Sequence, residues 1–440
     1  MRFHNIPIWL LGAQLASARF CVYLDQAHST TLLGKDKTVG IDCAIMAFAN
    51  SNLFVDSPPG EYTPFAPVNE IRGRFANGTK LFIAIGGDTK GFSAGAKDDA
   101  SRKMYAKNVA DMVNKHGFDG VDIDWEYPGR NGENSKDIPN SEKASEVDNF
   151  PLFLKEIKHS IGTGKQLSIA VPGKKSDMIA YTAEKGPAIW EAVDFVNVIM
   201  SFNLIDRRDN VTTHHSSVKG SLETIQNYLD TKLSPEKINL GFAFYAKYFT
   251  LDPKKDCPSE KPVGCPLVRA ELENGTDAGT SGIVTFEVTQ ISPPAVPAGV
   301  SPNMTCGPLS GFRCKDELCC SSAGFCGELP EYCSSGCQPN YGKCDGVDVG
   351  SSFRRARTNG MVDMEHGGRY YVDYEAKLFW TWETTDLIAR KFEEIVREKK
   401  LGGVMAWSLG LDSYDWSHVE AMQKGMEGYQ GTGGKNKSCW

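Results

Sequence analysis

Eight short apolar runs, rich in β-branched residues and alternating with helical patterns, constrain this chain more than any other feature. They are FCVYLD (20–25), DCAIMAFAN (42–50), KLFIAIGG (80–87), GVDIDWEYP (120–128), QLSIAVPG (166–173), FVNVIMSFN (195–203), INLGFAFYA (238–246) and GGVMAWSLG (402–410). Between several of them lie ASRKMYAKNVADMVNKHG, VDNFPLFLKEIKHSIG and SSVKGSLETIQNYLDTK, whose apolar residues recur at i, i+3, i+4 and i+7 and so predict amphipathic helices. Eight strand–helix alternations predict an α/β fold, a closed (β/α)8 TIM barrel, over residues 19–246 and 382–430.

Residues 247–381 break the rhythm where a short loop and a helix would be expected, so they are read as an α+β insertion between the seventh and eighth strands. Within it, TQISPPAVPAGVSPNMT (289–305) has four prolines and reads as an extended linker. Eight of the thirteen cysteines follow, between Cys306 and Cys344. GRYYVDYEAKLFWTW (368–382), dense in Tyr and Trp, predicts strands of a small appended sheet.

The composition, 41% hydrophobic and 23% charged with a formal net charge of -7, is that of a soluble protein whose main partner is neither nucleic acid nor an anionic membrane. A monomer is expected. Arg2, the apolar run Ile6 to Leu15 and Ala16-Ser17-Ala18 together predict a signal peptide over residues 1–18, and no later stretch is long enough to span a bilayer. Thirteen cysteines and sequons at Asn77, Asn210, Asn274, Asn303 and Asn436 agree with a secreted, extracellular destination.

The fourth run carries the chemistry. Asp122, Asp124 and Glu126 alternate with Val121, Ile123 and Trp125, which on one strand would place three carboxylates on one face, ~6.6 Å apart. Like charges at that spacing on a partly dry wall raise one another's proton affinity, so at least one is expected to hold a proton near neutral pH. A protonated Glu126 at the C-terminal rim of a barrel would be a general acid for a glycosidic oxygen, with Asp124 and Asp122 sharing the remaining charge. A salt-bridged strand fits poorly because the segment lacks Lys and Arg; a divalent-metal site of oxygen ligands is the competing reading.

Asp119-Gly-Val-Asp122-Ile-Asp124-Trp-Glu126 resembles the Asp-x-x-Asp-x-Asp-x-Glu signature of chitinases in glycoside hydrolase family 18. AIGG (84–87), MSFN (Met200 to Asn203) and Trp407 stand where that family has Ser-x-Gly-Gly, Met-x-Tyr-Asp and the tryptophan beneath the scissile sugar. The resemblance implies a substrate-assisted retaining mechanism acting on chitin and N-acetylglucosamine oligosaccharides, without cofactor or metal: Glu126 protonates the leaving oxygen, the sugar's acetamide attacks the anomeric carbon, and Asp124 orients the acetamide while Asp122 takes the shared proton. It also implies sugar contacts at Tyr23, Tyr127, Met200, Phe202, Asn203, Tyr245 and Trp407. Three residues depart from the family pattern. Ala84 lacks a hydroxyl for the inner aspartate, Phe202 lacks the phenol for the acetamide oxygen, and Asn203 replaces a carboxylate. Loss of one such transition-state hydrogen bond costs ~10²–10³ in rate, so a slow enzyme is expected. A chitin-binding lectin on a degenerate barrel, and an endo-acting glycosidase on protein-linked glycans, are the rival readings.

The cysteine cluster has too few apolar residues for a core, so bridges must stabilise it. Spacing alone leaves 105 connectivities. Cys319-Cys320-Ser321-x4-Cys326-x6-Cys333 resembles the core of the hevein-type chitin-binding module, here residues 306–344. That resemblance implies bridges Cys306–Cys320, Cys314–Cys326, Cys319–Cys333 and Cys337–Cys344. It implies sugar contacts at Ser321, Phe325 and Tyr332, with one aromatic missing at Ala323 and binding correspondingly weak. Cys257 and Cys265 are expected to close a short loop, which leaves Cys21, Cys43 and Cys439 for one further pair at most.

Overall fold

The computed structural model describes residues 18–29, 31, 33–87, 90–130, 136, 138–199, 204–258, 260–292, 295–321, 323–333 and 337–433. The expected signal peptide and Cys439 lie outside them, apart from Ala18, as do Met200, Phe202 and Asn203. Along the chain the strands are β1 (Arg19–Asp25), β2 (Cys43–Asn50), β3 (Lys80–Gly86), β4 (Gly120–Ile123), β5 (Gln166–Val171), β6 (Phe195–Val198), β7 (Ile238–Ala243), β8 (Tyr245–Thr250), β9 (Ser281–Thr285), β10 (Cys319–Cys320), β11 (Cys326–Gly327), β12 (Met361–Asp363), β13 (Gly368–Asp373), β14 (Leu378–Trp382) and β15 (Gly403–Trp407). Parallel pairing in the order β1-β15-β7-β6-β5-β4-β3-β2 closes a barrel of eight strands, with the helices outside it. β4, β6 and β7 are buried at every position, as strands covered on both faces must be.

Local signals set the helix ends. Asp98 accepts the Ser101 N–H on its side chain to start helix Asp99–His116, and Gly117 ends it at φ 73°, a conformation glycine adopts without penalty. Ser217 caps helix Val218–Asp230 in the same way through the Gly220 N–H.

Several strands are shorter than their apolar runs. β4 stops at Ile123 and β6 at Val198, so Asp124 to Pro128 belong to the loop above the barrel. Hydropathy reports burial, and residues lining the barrel mouth are buried without pairing in the ladder. The run at 238–246 serves two sheets: β7 ends at Ala243, and after Phe244 β8 enters a second, antiparallel sheet of order β12-β13-β14-β8-β9.

That second sheet has an apolar core on each face, as alternation along its strands dictates. Ala246, Tyr248, Trp380 and Trp382 pack with Phe353 of helix Val349–Asn359, whereas Phe249, Leu251 and Phe379 pack with Ile205 and the Cys257–Cys265 bridge. The stretch expected to be an extended linker is partly structured. Val288–Ile291 forms a helical turn, and Ala298 and Ser301 donate backbone hydrogen bonds to Gly311 and Arg313. In the disulfide-rich segment the bridges run Cys306–Cys320, Cys314–Cys326, Cys319–Cys333 and Cys337–Cys344. Its core consists of Cys306, Cys314, Cys320, Cys326 and Tyr341. Cys21 and Cys43 are buried free thiols at paired positions of β1 and β2. Among the described residues no helix is long and apolar enough to cross a membrane.

Candidate active site

Asp122, fully buried on β4, is held from three other strands of the barrel, β1, β5 and β6. It accepts hydrogen bonds from Tyr23 Oη at 2.6 Å, Ser168 Oγ at 2.5 Å and Asn197 Nδ2 at 3.1 Å. Behind it, Asn239 Nδ2 donates to Asn197 Oδ1 at 2.9 Å, and Arg19 Nε donates to Asn239 Oδ1 at 3.2 Å. Burial pushes the Asp122 carboxyl upward and the three donors oppose it without reversing the direction. Both oxygens are taken by hydroxyl and amide donors, so a divalent ion there would have to displace them.

Asp124 sits differently. Its backbone N–H reaches Ile85 O at 2.9 Å, while its side-chain Oδ1 is buried with no hydrogen-bond partner among the described residues. Burial first, then the charges of Glu126 and Asp122 and a hydrogen bond with Glu126, hold this carboxyl well above the usual carboxylate range. Asp122 is thus richly bonded, while Asp124 keeps one unbonded oxygen and a raised proton affinity.

Glu126 lies beyond the end of β4, on the loop, with φ 56°, a left-handed backbone that side-chain-bearing residues seldom adopt. Strict strand alternation therefore does not place it; the turn does. Tyr181 Oη donates to its carbonyl at 3.3 Å, and the Tyr127 phenol, raised by burial and by the Glu126 charge, bonds its side chain. Trp125 points the opposite way, stacked on Phe92 at 5.4 Å and edge-on to Phe150 and Phe153, and so anchors the loop.

The half-buried Trp407 ring rests 5.2 Å from Tyr23 and 5.6 Å from Phe48, the latter nearly parallel. Tyr23 is fully buried with its phenol committed to Asp122, so it supports this floor instead of offering a free stacking face. Tyr245 is likewise buried, against His215 at 5.4 Å, where the chain leaves the barrel and enters β8. Nothing is placed for Met200, Phe202 and Asn203, which lie outside the described residues. Ser321 is buried, Phe325 is 53% exposed and Tyr332 is half-buried, with the Phe325 N–H donated to Ser321 Oγ at 3.2 Å.

Several neighbours escaped the sequence reading. Ser168 and Asn197 are single polar residues inside apolar runs. Phe48 lies within the β2 run; beside Asp124 stands Gly86, one of the AIGG residues already marked in the sequence, where an added Cβ would stand 3.0 Å from Asp124 Cβ and 2.9 Å from the Phe48 ring. On the rim, Asp177 is clamped by Arg130 at 2.6 Å and Arg208 at 2.8 Å, and Asp206 by Arg208 at 2.6 Å and Lys174 at 2.9 Å. Burial would raise Asp206, but these two cations hold it far below the usual carboxylate range. A second relay runs from Ser408, next to Trp407, to Asp25 at 2.5 Å, then to His28 at 2.5 Å and Glu287 at 3.2 Å. Bonds to these two carboxylates push the His28 imidazole up to about 10.

The chain is 26% identical over 192 residues to Chitinase 1 of Aphanocladium album, covering 39% of this chain and 41% of that protein. It is 27% identical over 191 residues to Chitinase A1 of Niallia circulans, covering 38% and 26%. The alignments thus span well under two thirds of either relative. The crystal structure of a chitinase from Rhizomucor miehei superposes with a TM-score of 0.62 at 17% identity, over 92% of this chain and 99% of that one, which shows a shared fold. The sequence pattern of the glycosyl hydrolases family 18 matches residues 19–412, within which all the barrel strands and the acidic column lie, and the chain belongs to that family.

Proposed function

We propose that this chain is a secreted chitinase that hydrolyses β-1,4-linked N-acetylglucosamine by substrate-assisted retention. The observation that carries the reading is the pairing of Asp124 with Glu126 above Asp122. One carboxyl with raised proton affinity and an unbonded oxygen sits between a bonded aspartate and a rim glutamate. Glu126 donates its proton to the leaving oxygen and the substrate's own acetamide carbonyl attacks the anomeric carbon. Asp124 turns to the acetamide N–H, and the proton it shared passes toward Asp122, whose three donors favour that carboxylate before the transfer. The absent hydroxyl at Ala84, paired in register with Asp122, is offset by Ser168, Tyr23 and Asn197, which already satisfy both oxygens. The Trp407 ring on its aromatic floor is suited to the apolar face of the scissile sugar.

The disulfide-rich segment, with Ser321, Phe325 and Tyr332, serves as a weak grip on the insoluble polymer that raises the local concentration of barrel and substrate. A catalytically impaired lectin is the second reading, favoured by Phe202 in place of a phenol. Incubation of the purified chain and its Glu126→Gln variant with N-acetylglucosamine hexamer tests both. Product from the parent alone, with β-anomer formed first, supports the hydrolase; equal background from both with chitin pull-down retained supports the lectin.

A further inference from the structure

The geometry points to a transition-metal site of the kind zinc occupies, formed by His214, Asp363 and His366 where the loop before helix Val218–Asp230 meets the turn between β12 and β13. His214 Nε2 lies 2.9 Å and His366 Nδ1 2.8 Å from one atom, Asp363 Oδ2, and the three lie within 4.8 Å of one another. The other carboxylate oxygen is engaged elsewhere. Asp363 Oδ1 accepts the backbone N–H groups of Glu365 at 3.0 Å and His366 at 3.2 Å, which holds Oδ2 toward both imidazoles.

His214 is itself seated for this role. Its Nδ1 stands 3.4 Å from Thr381 Oγ1, the outer polar contact that fixes a ligating imidazole. Its ring packs on Gly368, where any Cβ would come within 2.3 Å of His214 Cγ, so the glycine makes room for it. Two imidazole nitrogens and one carboxylate oxygen are a donor set zinc accepts at ~2.0–2.2 Å. Tetrahedral placement at those lengths sets ligand atoms ~3.3 Å apart. Two edges of the triangle are already close to that value. The third closes by a small rotation of His366, which is partly exposed on its turn and leaves room for water as a fourth ligand.

The turn already caps the helix, with Val218 N–H on Gly367 O at 2.9 Å and Lys219 N–H on His366 O at 3.0 Å. A bound ion there fastens the appended sheet to a barrel loop. Asp122, Asp124 and Glu126 take no part in it, so the expected effect is on stability and not on turnover.

The test uses the untagged full chain, treated with chelator and then titrated with Zn²⁺ by calorimetry and with Co²⁺ by visible absorption. The expected result is one Zn²⁺ per chain with a Kd below about 10 μM, a Co²⁺ band of tetrahedral intensity, and a Tm that rises by several degrees with Zn²⁺. His366→Ala and Asp363→Asn should abolish the band and the zinc-dependent rise while the metal-free Tm stays near that of the parent. Should Asp363→Asn fail to fold, His366→Gln at the partly exposed position decides. Absence of saturable binding up to about 100 μM Zn²⁺, or binding untouched by the His366 variants, overturns the assignment.

Discussion

In the barrel, charged groups are held by a thick apolar wall, and Asp122 reaches full burial only because Tyr23, Ser168 and Asn197 bond it from three strands. In the segment 306–344 the wall is missing, and the core is made of bridged cysteines and Tyr341, with Leu318 at its edge. The difference teaches where acid–base chemistry can live. Depth is what moves a carboxyl's proton affinity, and a small cross-linked unit has none to offer. Such a unit can still hold an aromatic such as Phe325 rigidly in solvent, which suits adhesion.

The sharpest way to break this contrast is Glu126→Gln. Hydrolysis of soluble hexamer should fall by about 10³-fold, while Tm and chitin pull-down remain unchanged. Mild reduction should do the reverse. All five bridges of the described residues lie in the insertion and none in the barrel, so adhesion to insoluble chitin should be lost through an unfolding cost of about 2–5 kcal/mol in the small unit. Turnover of soluble hexamer should persist, and loss of both together would show that the two regions do not act separately.

Smaller effects refine the picture. Gly86→Ala should lower kcat by about tenfold with KM little changed, because its Cβ presses on Asp124 and Phe48 at the point where the carboxyl must turn. Phe325→Ala should weaken retention on insoluble chitin by about fivefold, the worth of roughly 1 kcal/mol of ring stacking, and leave soluble turnover alone. The least change is expected from alkaline pH at His28. Its folded proton affinity is raised to about 10, above the ordinary ~6.5, so its contribution to stability is full below about 6.5 and is lost as pH rises through about 10. A Tm series from pH 8 to 11 should show a decline that His28→Gln removes.

Much of this was legible in the chain. Apolar runs of the right length located the barrel strands, and the spacing of Asp122, Asp124 and Glu126 singled out the carboxylates, though only Asp122 lies on the strand and a turn sets Glu126. The runs were less good at saying where pairing stops, because Trp125 and Pro128 stay buried and Asp124, Glu126 and Tyr127 half-buried above β4 without being strand. Ser168, Asn197 and Phe48 carried no signal of their own. Each matters only through the register that sets β3, β4, β5 and β6 side by side, and register is a long-range property. The cysteine pairing came with the family resemblance, since spacing alone left every connectivity open.

The place of the insertion has a consequence for how the molecule is made. Strand β15 is the only neighbour joining β1 to β7 in the closed ring, and it is synthesised after the whole appended sheet and its cross-linked unit. Until it arrives the nascent ring is an open, seven-stranded fan with two unpaired edges, one of them bearing the thiol of Cys21. Biogenesis of this chain therefore depends on guarding that seam while bridges form downstream, and a ribosome stalled before Gly403 would release a species prone to edge-to-edge aggregation.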